Sequence, residues 1–325
     1  MNRDLFLLDL EAKPRALRAL AEVVGINNPW SVAESVGLTT DSHVVFVGMG
    51  SSHYANAIAA ARLRALGITA VAEIASSDLL PAPRSSTLVI AVSASGTSTE
   101  TLDAVARYAG RCPIIGLVNV EGSALTSMVD HTVLMQAGVE AGGVACRSFQ
   151  HTLGLLLSLQ EQLVPGSCSP VAHTLSRAAD ATEDLLDRRD EWLAPVAELA
   201  LGPQGTFLTA PAHRLSSAQQ GALMLREGPR RLAVGCETGD WSHVDVYLTK
   251  TMDYRLIAFA GSRWQSTMAD WVRQRQSTVV AVGGEVEASA YTLRFHGDDV
   301  DDVRLLAEVL VPELLAASVW TEITS

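Results

Sequence analysis

The feature that most limits the folds open to this chain is a repeated passage. A short apolar run leads through a turn of small hydroxyl residues into a helical stretch. His43-Val44-Val45-Phe46-Val47 reads as a short, continuous apolar run, typical of a strand buried on both faces. It ends at Gly48-Met49-Gly50-Ser51-Ser52, and a small-residue helix follows over Ala55 to Leu66. Thr69 to Ile74, Thr87 to Val92, Pro113 to Val118 and His131 to Met135 read as further strands. A helix around Thr101 to Ala109 separates two of them. Strands alternating with helices imply a parallel, doubly wound sheet.

The alternation then restarts. Helices over Ser148 to Leu163 and Val171 to Trp192 flank Pro165-Gly166-Ser167, which reads as a linker. Gly205 to Ala210, Val244 to Leu248, Arg255 to Ala260 and Thr278 to Val282 read as strands, with helices over Ser216 to Arg226, Ser266 to Arg275 and Val303 to Val319. The expected architecture is α/β with two tandem lobes, residues 1–165 with an N-terminal helix and residues 166–325, each a parallel sheet flanked by helices.

In such sheets ligands bind beyond the carboxyl ends of the strands, where helix N-termini offer unpaired N–H groups. Two strand ends carry what a phosphate needs. Gly48-Met49-Gly50-Ser51-Ser52 brings glycine and two hydroxyls. Ser93-Ala94-Ser95-Gly96-Thr97-Ser98-Thr99 brings five hydroxyls and a glycine in seven residues. The first turn lacks the third glycine of a dinucleotide fingerprint, and no Gly-Lys-Ser/Thr of a P-loop occurs.

Composition narrows the partners. With 48% hydrophobic and 18% charged residues the chain builds cores, and a net charge of −12 argues against nucleic acid and anionic membranes. No apolar run reaches spanning length and no signal-like start is seen, so a cytoplasmic setting is expected. Cys112, Cys146, Cys168 and Cys236 have no C-x-x-C spacing and read as neither a metal site nor a disulfide framework. No metal and no cofactor is expected.

These residues resemble the sugar-isomerase (SIS) superfamily, in particular the isomerase half of glucosamine-6-phosphate synthase. Gly48-Met49-Gly50-Ser51-Ser52 is similar to its Cys-Gly-Thr-Ser turn, and Ser93-Ala94-Ser95-Gly96-Thr97-Ser98 to its Ser-Gln-Ser-Gly-Glu-Thr. Asn119-Val120-Glu121-Gly122-Ser123-Ala124-Leu125, Ala137-Gly138-Val139-Glu140 and Val144-Ala145-Cys146-Arg147-Ser148-Phe149 resemble further motifs. So does the entry helix at Leu10-Glu11-Ala12-Lys13-Pro14. Carried over, the phosphosugar cradle falls on Gly50, Ser51, Ser52, Ser93, Ser95 and Ser98, with main-chain help from Ala94.

The second half supplies an acid–base pair. Gly221-Ala222-Leu223-Met224-Leu225-Arg226-Glu227 is similar to the family's Gly-Ala-Leu-Lys-Leu-Lys-Glu, and His243 stands sixteen residues beyond Glu227. The resemblance makes Glu227 the base that shuttles a proton between C1 and C2. It makes His243, from a neighbouring subunit, the ring-opening group. The chemistry fits, since an enediol shift needs a carboxylate and ring opening a group titrating near neutrality. The family lysine before the glutamate is Met224, and neither a glutaminase half nor the sugar-binding lysine of the C-terminal tail is expected here. The implied function is a phosphosugar isomerase, or a related deaminase or deglycase, on a hexose or amino-hexose phosphate. A homodimer sharing its active sites is implied too. A phosphosugar-binding sensor without chemistry remains the alternative.

Overall fold

A computed structural model describes residues 1–321. In chain order the elements begin with α1 (Arg3–Glu11), α2 (Lys13–Ile26), α3 (Val32–Ser35), β1 (His43–Gly48), α4 (Gly50–Ala65) and β2 (Ala70–Ile74). Then come β3 (Thr87–Ser93), α5 (Thr99–Tyr108), β4 (Ile114–Val118), β5 (His131–Leu134), α6 (Arg147–Leu163), α7 (Val171–Asp187) and α8 (Arg189–Ala200). The remainder is β6 (Thr206–Ala210), α9 (Leu215–Glu227), β7 (Ala233–Glu237), α10 (Thr238–Trp241), β8 (Arg255–Phe259), α11 (Gln265–Arg275), β9 (Thr278–Val282), β10 (Tyr291–Leu293), α12 (Asp301–Ala307) and α13 (Leu310–Val319).

The strands form two five-stranded sheets, ordered β2-β1-β3-β4-β5 and β10-β9-β8-β6-β7, parallel throughout. Two compact units contain them. Residues 15–139 and 147–176 hold the first sheet, and residues 1–14, 140–146 and 177–325 hold the second.

In the first unit β1 lies between β2 and β3, so the chain winds outward in one direction, returns, and winds out in the other. Right-handed crossovers then set α4 and α5 on opposite faces. Val45, Val47, Val89 and Ala91 pack with Ala104, Val105 and Tyr108 of α5. Their alternates Val44, Phe46, Leu88 and Ile90, equally buried, point to the other face. Burial on both sides is why these strands are legible as unbroken apolar runs.

The second sheet repeats the pattern. One face packs Leu256, Ala258, Val279 and Ala281 with Met268 and Val272 of α11. The other packs Leu208, Ile257, Phe259 and Val280 with α8, α9, α12 and α13. The expected strand over Val244 to Leu248 is instead a 3-10 helix, Asp245–Lys250. Its alternation of apolar and polar residues fits a surface turn as well as a strand, because only Asp245, Val246 and Thr249 are buried.

One contact inside this unit carries charge into the core. Lys13 and Glu313 are both fully buried and form an ion pair joining the start of α2 to α13. Burial pushes the Glu313 carboxyl up to about 7, against the pull of the Lys13 ammonium and with the help of Glu140. Removing one partner strands a buried charge, which costs about 3–5 kcal/mol. Lys13→Met should therefore lower the unfolding free energy, read from urea titration, by that order. Lys13→Met with Glu313→Leu should recover most of it, and an equal loss in both variants would contradict this account.

Candidate functional site

The first sheet reverses its strand order between β1 and β3, which are neighbours in register: Val47 lies opposite Ala91 and Gly48 opposite Val92. The two hydroxyl-rich turns leave the carboxyl ends of these strands, side by side at the switch point where open α/β sheets take their ligands.

Gly50, Ser51 and Ser52 open α4, with Met49 as its N-cap. Gly50 takes φ +49°, a conformation that side chains adopt only at a cost. Gly48 is fixed by crowding: a Cβ there would stand 3.0 Å from Asn56 Nδ2, Ser52 Cβ and the Val92 carbonyl oxygen. A side chain at the end of β1 would thus crowd both α4 and β3.

The second turn is tied by its own hydroxyls. Gly96 N–H donates to Ser93 Oγ (3.2 Å), and Thr97 N–H and Oγ1 donate to Ser95 Oγ (3.2 and 2.9 Å). Ser98 caps α5, accepting from Thr101 N–H at 3.4 Å, and donates to Glu100 Oε2 at 2.9 Å. That bond and the backbone N–H of Glu100 hold its carboxyl below the usual range. A phosphate arriving at Ser98 therefore meets a hydroxyl already committed to an anion. Ser93 is buried, Ala94 and Ser98 half-buried and Ser95 exposed.

The motif after β4 braces this turn from below. Asn119 N–H donates to Ala94 O (3.0 Å) and Leu125 N–H to Gly96 O (2.9 Å). The Asn119 side chain spans to Ala137 N–H and Gly138 O. Ser123 packs where a Cβ on Gly96 would fall, 2.0 Å from its Oγ. Sequence reasoning picked out neither Ser123 nor Asn56 as a site residue. Asn56 is fully buried, and among the described residues both of its side-chain polar atoms lack partners, as does Ser123 Oγ. The available signal was an asparagine inside the apolar run Ala55-Asn56-Ala57-Ile58.

The second unit holds the candidate acid–base residues. Glu227 is the last residue of α9 and lines a cleft of about 410 Å³ with Arg230, Trp320 and the first two residues of the chain. Trp320 lies so close to Gly228 that a Cβ there would meet its ring at 2.6 Å. Burial raises the Glu227 carboxyl above its ordinary pKa, and Glu140 adds to the rise by charge repulsion. Glu140 is placed by Cys146 N–H, which donates to its Oε1 at 2.7 Å. Gln220 Nε2 donates to Ala145 O (3.0 Å), and Gly142 N–H to Asp9 Oδ2 (2.7 Å). The segment quoted only as a family motif thus supplies Glu227 with an electrostatic partner. Met224, at the family lysine's position, is buried in the core.

His243 does not share this cleft. It is exposed on the turn after α10, in another cleft of about 410 Å³ with Glu237, Asp240 and Trp264. Burial pushes the Cys236 thiol, beside this cleft, up to about 12, aided by Asp245, Asp240 and Glu237, and raises Cys146 well above its ordinary value.

Residues 37–160 match the family model for the SIS domain. The match covers 124 of the chain's 325 residues and includes both turns at the switch point of β1 and β3. The chain is 28% identical over 256 residues to a glutamine–fructose-6-phosphate aminotransferase (isomerizing) of Aeropyrum pernix, an alignment covering 75% of this chain and 41% of that protein. The chain thus spans about two fifths of that curated relative's length. The fold of the whole chain is that of the C-terminal domain of the glucosamine–fructose-6-phosphate aminotransferase of Francisella tularensis. The TM-score is 0.84 over 98% of this chain and 97% of that one, at 17% identity. Tagatose-6-phosphate ketose/aldose isomerase of Escherichia coli matches with TM-score 0.79 over 97% of this chain and 92% of that one, at 16% identity. Among the described residues no helix is long and apolar enough to cross a membrane.

Gly96 gives a direct test of the bracing. It holds φ +63°, so Gly96→Ala imposes backbone strain as well as the collision with Ser123. The expected cost exceeds about 1 kcal/mol. Thermal denaturation should show a lower Tm, and a variant as stable as the parent would mean the turn is not held as described.

Proposed function

We propose that the protein is a phosphosugar isomerase, or a closely related deaminase or deglycase, acting on a hexose or amino-hexose phosphate. In this reading the turns carrying Gly50, Ser51, Ser52, Ser93, Ala94, Ser95 and Ser98 hold the phosphate, and Glu227 moves the proton. The observation that carries it is the pairing of two hydroxyl-rich turns at one switch point. The names of the relatives support the substrate class: fructose 6-phosphate for one, an aldose–ketose interconversion of a sugar phosphate for another.

Glu227 suits a proton shuttle because its two states are closer in energy near neutrality than those of an exposed carboxylate. A base must release its proton as readily as it takes it, and a raised pKa narrows the gap to a weakly acidic carbon-bound proton. The base would take the proton from one carbon of the open sugar, leaving an enediolate, and return it to the neighbouring carbon. His243 would come from a second copy of the chain. Val244, Tyr247 and Leu248, all exposed beside it, supply an apolar strip for such a contact.

A binding protein without chemistry is the second reading. It is favoured by the Glu100 carboxylate on Ser98 and by Met224, which removes a lysine from the acid–base neighbourhood.

Glu227→Gln separates the two. Turnover of a converted phosphosugar should fall by about 10²–10⁴-fold with little change in affinity. Stability should move the other way. A carboxyl whose pKa rises on folding contributes stability below its unfolded value and loses it as pH climbs through the folded one. Glu227→Gln should therefore be more stable than the parent at neutral pH, the gap closing below about pH 4.5. Unaltered turnover would remove Glu227 from the mechanism.

The charge on Glu140 supplies the second test. Glu140→Gln should shift the acidic limb of kcat/KM to lower pH, because the repulsion that raises Glu227 is gone while the Gln carbonyl still accepts from Cys146. A limb that stays in place would detach Glu140 from the chemistry. For the subunit contact, Tyr247→Asp should yield monomers in sedimentation and lose activity together. Active monomers would exclude a shared site.

A further inference from the structure

The second sheet repeats the strand order of the first, so its own reversal falls between β6 and β8. A cleft of about 420 Å³ opens there, formed by residues 211–213 after β6, residues 261–264 after β8, and Glu237 at the end of β7. Glu237 and Trp264 also border the His243 cleft, whereas residues 211–213 and 261–263 take no part in the function proposed above.

The floor of the cleft is charged but matched. Arg214 is buried, pairs with Glu308, donates to Ala260 O and has Nε 3.5 Å from Asp301. Arg304 Nη1 is 3.2 Å and His213 Nε2 3.4 Å from the same carboxylate. His213, Arg214 and Arg304 together hold the Asp301 carboxyl well below the usual range. Gly261, at φ +106°, lets the backbone lie against both guanidiniums, which stand 3.0 and 3.1 Å from where its Cβ would be.

The rim is not matched. Arg263 has no carboxylate partner among the described residues, and its guanidinium stacks 4.8 Å from the ring of Trp264. Trp264 is 47% exposed, a large apolar surface left in water. Glu237 accepts Gly239 and Asp240 N–H groups through Oε2 alone, which leaves Oε1 for another donor. Ser262 Oγ accepts from Trp264 N–H, so its own proton is free to be donated.

We propose that this cleft is a second ligand site, specific for a phosphorylated sugar. Arg263 meets the phosphate as a charge-assisted donor. Trp264 covers the apolar face of the sugar ring, and Glu237 Oε1 and Ser262 Oγ take its hydroxyls. An unpaired cation, an exposed indole and a carboxylate acceptor converge on a cavity at the topological position where this sheet type binds ligands.

Equilibrium dialysis with glucose 6-phosphate, fructose 6-phosphate and glucosamine 6-phosphate tests it. Inorganic phosphate and unphosphorylated glucosamine serve as arms that separate anion from ring recognition. The parent should bind two equivalents per chain of at least one phosphosugar. Arg263→Ala and Trp264→Ala should each weaken one of them about tenfold or more, and Trp264→Phe should restore it by keeping a flat ring. Ser95→Ala with Ser98→Ala should weaken the other equivalent only. A single equivalent untouched by Arg263→Ala would overturn the second site while leaving the first-sheet cradle intact. A single equivalent lost in Arg263→Ala but kept in the serine variant would support the second site and sink the cradle. Inorganic phosphate binding as tightly as every phosphosugar would overturn the sugar specificity.

Discussion

Parallel strands cannot be joined by tight turns, because each must begin again at the end where its predecessor started. The return path through a helix has one preferred hand, and from that preference the arrangement of the two sheets follows. Every loop that precedes a helix gathers at the same end of its sheet. Where the winding reverses, two of those loops diverge toward opposite faces and leave a crevice between them. At β1 and β3 that crevice receives the two serine-rich turns, and at β6 and β8 it receives the Arg263–Trp264 turn. The side chains differ, yet the position is set by backbone geometry that both halves share.

The proposed phosphate sites do not conflict with an acidic chain. Overall charge acts at the range of the screening length, about 8 Å at physiological ionic strength, whereas backbone N–H groups and hydroxyls act at contact. The first-sheet turns rely on hydroxyls and helix starts and carry no cation of their own. Elsewhere arginines are matched tightly with carboxylates, as around Asp301, so that the net charge says little about any one cleft. Glu227 shows the converse. Partial burial and a like charge keep it from behaving as one more surface carboxylate.

The central strands were legible in the sequence because both of their faces are buried and their residues are uniformly apolar. The edge strands β7 and β10 were not. Each pairs on one side only, and the sequences Ala-Val-Gly-Cys-Glu and Tyr-Thr-Leu offer neither a run nor an alternation long enough to read. The helix expected from Val303 to Val319 divides into α12 and α13 at Glu308-Val309, because Pro312 has no N–H and its ring crowds the carbonyl four residues earlier. In the cradle, the hydroxyl turns were visible as composition. Their bracing by Asn119 and Ser123 was not, because it arises from segments brought together only by the fold. The meeting of Glu140 with Glu227 is of the same kind, 87 residues apart in sequence. Residues 322–325, the end of the tail compared with the family's, lie outside the described residues.

The burial of Lys13 has a practical side. Lys13 and Lys250 are the chain's two lysines, since arginine supplies every other permanent side-chain cation. With one ammonium sealed against Glu313 and the other exposed, amine-directed reagents meet a single side chain in the native protein. A fluorophore, a cross-linker or an immobilising resin aimed at amines would attach at Lys250 or at the amino terminus. The molecule is thereby prepared for site-directed conjugation without a substituted residue, and exposure of the second amine would report the opening of its core.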